Sequence, residues 1–406
     1  MPSAFTFVTT AGMILLFWTG ANTPINAKSG PAPASNTSQE IIRTQIGTLP
    51  YLHGYKPSPL KTGVILYDRS RAYQGLNLYV SGGKPPVILT DMEGNVLHHW
   101  ENRLPAPDLK DAIFRHGRLF ANGDLLVILE DRGLLKMDKD SNTVWFLPGR
   151  YHHDFSIAED GDIYVLKRRE AEIDLGWMDL KGPFTEDYVV IISPEGVEKK
   201  SISLLECFLH SDYSPVLLNI RLEEHQGDNF HTNTLELIPG SAGERFLPFQ
   251  KGHALISLRN LHTIAVVDLP GEKVTWALSG MWAHQHHPTL LPNGNILLFD
   301  NLGLKGTSQV LEFDPSTQKV AWAYRGNTDN GFRTEDMGFQ QRLPNGNTLI
   351  TESRDGRVFE VTPDNVIVWE FINPQRAAAD DSLIAAVYEM ERLHPDELAF
   401  LGENNR

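Results

Sequence analysis

A chain of 406 residues that is 41% hydrophobic and 21% charged can bury a large core, and its net charge of −15 argues against non-specific nucleic-acid binding, which needs basic surface. Its 33 glycines and 25 prolines suit a fold with many turns. The single cysteine, Cys207, excludes an intrachain disulfide and, with no reactive motif around it, reads as a small buried hydrophobe.

In chain order, Ala11 to Trp18 is a short apolar run followed by small residues up to Ala27. Its length suits the hydrophobic stretch of a secretory signal, so residues 1–27 are expected to be a signal peptide or a membrane anchor, although no Lys or Arg precedes the run. Residues 28–59 begin with a polar linker. Beyond them the chain repeats. An acidic or polar turn followed by a strand that often ends in Trp occurs six times, at Asp91, Asp138, Ser193, Asp268, Asp314 and Thr362. Well-marked neighbours are spaced 47 (91 to 138), 46 (268 to 314) and 48 (314 to 362) residues apart. Between these copies lie Asn-Gly or Asp-Gly hairpin signals at Asn122, Asp160, Asn293 and Asn345, flanked by β-branched and aromatic runs. Such a period, with four strand-like runs per unit, predicts an all-β, six-bladed β-propeller over residues 60–372. The terminal aromatics are expected to fill the space between blades. The tail, 373–406, contains an amphipathic pattern from Asp380 to Arg392, which predicts a C-terminal helix packed outside the ring.

Fifteen histidines are present, and several cluster at matching points of successive repeats. These are His152 and His153 in Tyr151-His-His-Asp154, His231 in Asp228-Asn-Phe-His-Thr-Asn233, Arg259 and His262 in Ser257-Leu-Arg-Asn-Leu-His262, and Ala283-His-Gln-His-His-Pro288. In a propeller such positions converge on the central channel, so distant motifs become one candidate site. Imidazoles and a guanidinium suit an oxyanion such as sulfate, and an imidazole lone pair can act as nucleophile or base. His284 and His286, alternating on a strand, could instead join His153 and His231 in a histidine-only zinc or copper site. A third reading is a non-catalytic propeller that binds an anion or a protein partner. His98 and His99 fall on an outer strand and read as structural, and His225 reads as an exposed loop residue.

The ordered set Asp228-Asn-Phe-His231-Thr-Asn233, Ile256-Ser-Leu-Arg259-Asn-Leu-His262, Gln285-His286, Leu291-Pro-Asn-Gly-Asn295 and Phe299-Asp-Asn301 resembles the bacterial arylsulfate sulfotransferase family. The resemblance covers about residues 60–372. It implies transfer of a sulfuryl group from an aryl sulfate donor to a phenolic acceptor through a sulfohistidine, with no cofactor and without the nucleotide donor PAPS. Motif for motif, it implies His286 as the nucleophile. His231, Arg259 and His153 would bind the substrate, with His152, Asn233 and Gln285 as further candidates. The N-terminal run predicts an exported protein, periplasmic or membrane-anchored facing the periplasm, and a homodimer is one assembly open to it. This chain departs from the family phrase in placing His287 and Pro288 directly after the nucleophile position.

Overall fold

The computed structural model describes residues 54–240, 246–326, 332–377 and 381–402. The expected signal peptide or anchor lies outside them, as does most of the 28–59 linker. Six antiparallel sheets are arranged as blades around one axis. The innermost strands are Val387–Leu393 in blade 1, Phe114–Leu119 in blade 2, Tyr151–Ile157 in blade 3, Thr232–Leu237 in blade 4, His286–Leu290 in blade 5 and Phe339–Arg342 in blade 6.

The repeated phrases fall where hairpin chemistry requires them. Asp91 Oδ1 accepts the amides of Glu93 and Asn95 at 2.9 and 2.8 Å, and Asp138 Oδ1 does the same for Asp140 and Asn142 at 2.9 and 2.8 Å. These side chains close the turns between the third and fourth strands of their blades. Each Asn-Gly turn joins an inner strand to the second strand, with Gly123 at φ +89° and Gly294 at φ +87°, a backbone region that costs a side chain energy.

One blade cannot bury both faces, so the core is divided into six apolar clusters, one at each blade–blade interface. Leu166 and Val189 of blade 3, for example, pack with Leu235, Ile256 and Ala265 of blade 4. Each fully buried large aliphatic side chain contributes about 1.5–3 kcal/mol. The tryptophans that end the repeats also reach the next blade. Trp100 Nε1 donates to Gly123 O at 3.2 Å, Trp145 to Pro194 O at 3.0 Å, Trp322 to Pro363 O at 2.9 Å and Trp369 to Met92 O at 2.9 Å.

The C-terminal segment corrects the sequence expectation. Asp380 lies outside the described residues, and no helix forms over the described residues Asp381–Arg392. Leu383–Ala385 pairs with Gly54–Pro57, and Val387–Leu393 pairs with Leu76–Ser81 as the inner strand of blade 1. Without it that blade would have three strands and an open inner edge, so ring closure overrides local preference. The polar residues that resemble a solvent face are used inside: Glu389 faces His116, and the buried Arg392 pairs with Glu360 at 3.0 Å.

Candidate functional site

Inner strands begin irregularly, and that irregularity aims their side chains. Pairing slips between Tyr151 and Phe155, between Thr232 and Thr234, and between His286 and Thr289. At or beside these bulges His153, His231 and His287 take φ of +56°, +47° and +47°, strained for a residue with a Cβ. An axial void of about 40 Å³ results, with every inner strand contributing to its wall. Its lining includes His153, Asn233, His286, Met337, Arg115 and Tyr388.

His286 is held in a defined tautomer. Asn301 donates its amide to Thr334 O at 3.1 Å and Met337 O at 2.7 Å, which turns its oxygen toward His286. That oxygen lies 2.7 Å from His286 Nδ1, and the His284 carbonyl lies 2.9 Å from the same nitrogen. Two acceptors require Nδ1 to carry the proton, so Nε2 holds the lone pair. Nε2 accepts a 3.2 Å hydrogen bond from the Met337 amide at the void wall. Burial, and then the nearby Arg259 guanidinium, hold this imidazole well below its ordinary pKa, which keeps it neutral and nucleophilic at pH 7.

A layer of carboxylates backs the other histidines. His231 Nδ1 lies 2.7 Å from Asp228 Oδ2. His152 Nε2 lies 3.5 Å from Asp187, and His153 Nδ1 lies 3.6 Å from Glu130. The fully buried Arg168 joins two of these groups, at 3.6 Å from Glu130 and 3.5 Å from Asp228, and also chelates Asp131. Burial works against the Asp228 carboxylate, but His231 and Arg168 outweigh it and hold it below the usual range. Burial pushes Glu130 up, and burial with the neighbouring Asp228 pushes Asp187 up.

The structure brings most of the sequence-predicted residues together. His153, Asn233 and His286 line the void, and the His231 ring stands 4.8 Å from that of His153. Arg259, partly exposed on the turn after the second strand of blade 4, bonds Asn260 Oδ1 at 2.7 Å, and its amide bonds the His231 carbonyl at 3.3 Å. Two candidates stand back. His152 is buried behind His153, with their Nδ1 atoms 2.9 Å apart. Gln285 is a wholly buried strut whose amide bonds Ser257, Leu258 and Thr263 at 3.0, 3.1 and 3.0 Å. His284 does not share a face with His286: it sits at φ +57° with its ring 4.9 Å from His262. Among the described residues no group of three or more His, Cys, Asp or Glu side chains is arranged to hold a metal.

Arg168, Glu130 and Asp187 were not legible as site residues. One signal does reach two of them. Arg259 directly follows Leu258, which pairs with the first residue of its inner strand, and Glu130 and Arg168 occupy the same repeat position after Leu129 and Lys167.

Among solved structures, a protein of unknown function from Bacteroides caccae is similar at a TM-score of 0.51 and 10% identity, over 78% of this chain and 98% of that one. TolB from Acinetobacter baumannii aligns at a TM-score of 0.46 and 12% identity, over 78% of this chain and 66% of that one. At 10% identity the likeness to the Bacteroides caccae protein shows the fold alone. No protein of curated function matches the chain. The family pattern for arylsulfotransferase (ASST) matches residues 119–374, a stretch that contains His153, His231, Asn233, Arg259, His286 and Asn301 of the axial site but not Arg115. The chain therefore belongs to the arylsulfotransferase (ASST) family.

Proposed function

We propose that this propeller moves a sulfuryl group from an aryl sulfate to a phenol through a sulfohistidine at His286, without PAPS. The observation that carries this reading is the Asn301 lock, which leaves a neutral imidazole with its Nε2 lone pair at the axial void. Sulfur would arrive where the Met337 amide now meets Nε2. The N–S bond forms as the S–O(aryl) bond breaks, and the electron pair leaves on the phenolate. The Nδ1–H then stabilises the charged ring by donating to Asn301. In the second half-reaction the phenol oxygen attacks sulfur and the pair returns to Nε2.

Charge in the loose transition state spreads over three sulfuryl oxygens, as in phosphoryl transfer. Arg259 would offer a planar fork of donors to them, with His231 bonded to its backbone and His153 4.8 Å beyond the His231 ring. The apolar run Ala11–Trp18 supports an exported protein, periplasmic or anchored facing the periplasm.

The test is turnover of 4-nitrophenyl sulfate with phenol as acceptor and no nucleotide. Nitrophenol release should match phenyl sulfate formed, and His286→Ala should lower kcat about 10⁴–10⁶-fold in a folded protein. Turnover that survives the loss of His286 would end this reading.

A further inference from the structure

Asp228 sits at the meeting point of the buried network rather than at the void. Its Oδ2 is shared by His231 Nδ1 at 2.7 Å and the Arg168 guanidinium at 3.5 Å. The Asp228 backbone is fixed as well: its amide bonds His225 O at 2.9 Å and its carbonyl accepts Asn260 Nδ2 at 2.6 Å. Because Asp228 is a carboxylate, His231 must present Nδ1–H to it, and Nε2 becomes the ring atom available to a ligand. We propose that Asp228, held by Arg168, is the positioning residue that makes His231 the proton donor and acceptor of both half-reactions.

This rests on the sulfohistidine reading above and assigns what that reading leaves open, the fate of the proton. In the first step His231 is the imidazolium, with Nδ1–H on Asp228, and the leaving phenolate oxygen takes the proton from Nε2–H as the S–O bond breaks, leaving the ring neutral. In the second, the acceptor phenol gives its proton to His231 Nε2 as its oxygen bonds to sulfur. The proton count closes over one cycle, and no other reactant is needed. Around His231 stand Asp228, Arg168, Arg259, His152, His153, His225, His284 and His286. Burial, Arg259 and Arg168 favour the neutral ring, and Asp228 opposes them.

Asp228→Asn keeps the volume and removes the charge. With phenyl sulfate, a poor leaving group, kcat/KM should fall about 100-fold or more, and with 4-nitrophenyl sulfate less than about tenfold, because general-acid help matters in proportion to leaving-group basicity. The limb of the pH profile set by protonated His231 should move to lower pH. Asp228→Glu should recover part of the loss. If Asp228 acts through His231, Asp228→Asn adds little to His231→Asn in the double variant. Equal losses for both donors, an unmoved limb or additive losses in the double variant would overturn the proposal. Trapped label separates it from the underlying reading. With 4-nitrophenyl sulfate, Asp228→Asn should still carry a sulfuryl group on His286, whereas failure of the wild type to carry one would instead sink the sulfohistidine itself.

Discussion

Histidines on the wall of one channel are treated in opposite ways. At the void, His286 and His153 are held well below their ordinary pKa by burial, with Arg259 acting on His286, and His231 and Arg115 on His153. Also on the channel wall, His116 has Glu389 on Nδ1 and Asp154 3.3 Å from Nε2. Burial alone would lower its pKa too, but the two carboxylates outweigh it and push it up to about 9. His116 opens onto an axial chamber of about 790 Å³ that Glu236, Glu391, Arg118 and Leu290 also line. Burial therefore does not decide the charge of an imidazole in this ring. The decision lies in whether carboxylates touch both nitrogens, or whether an uncharged acceptor such as Asn301 takes one and leaves the other to carry a lone pair.

The largest effect on this contrast comes from Asn301. Asn301→Leu removes the acceptor that fixes the His286 tautomer, and kcat should fall about 10³-fold with thermal stability far less affected. Asn301→Asp should sharpen the difference by making the His286 site resemble that of His116: the added charge raises the His286 pKa, and the acid limb of the pH profile should move to higher pH. A variant series with unchanged kcat would break the comparison at His286.

His116 tests the charged side of the contrast through stability. Its folded pKa of about 9 lies above the unfolded 6.5, so it contributes about 3 kcal/mol at most, fully present below pH 6.5 and lost as pH rises through 9. His116→Gln should therefore lower Tm clearly at pH 6 and hardly at pH 10, with kcat little changed. An equal loss of Tm at both pH values would show that His116 is not a cation.

Arg259 gives the smallest expected effect. Arg259→Lys keeps the charge but loses the fork, and kcat/KM for the donor should fall about tenfold with the acid limb in place. Arg259→Gln also removes a charge that depresses His286, so its acid limb should shift to higher pH. Matching pH profiles for Lys and Gln would show that the charge does not reach the nucleophile.

Hairpin chemistry made the fold legible in the sequence, because the turns at Asp91, Asp138, Asn122 and Asn293 are local and repeat with the blades. The closing strand was not legible. Its inward faces carry Glu389, Glu391 and Arg392, and a bulge between Val387 and Glu389 breaks the alternation that marks a strand. Of the site, His153, His231, Arg259 and His286 stood out as chemistry-bearing residues in tight phrases. Arg168 did not, because it lies in Lys167-Arg-Arg169 within a 13-residue strand, Ile163–Leu175, whose flanking charges face solvent or surface partners. Only the register shows that it shares a repeat position with Arg259. His152 and Gln285 sit in the same phrases but stand behind the wall, His152 against His153 and Gln285 bonded to Ser257, Leu258 and Thr263.

The most direct measurement is the site of the sulfuryl group. Donor carrying labelled sulfate is mixed with the protein and no acceptor, and the trapped protein is digested and mapped. One label per chain on Nε2 of His286 is the predicted result. Label on His153, His231 or another residue, or none while phenol is released and transferred, would contradict it.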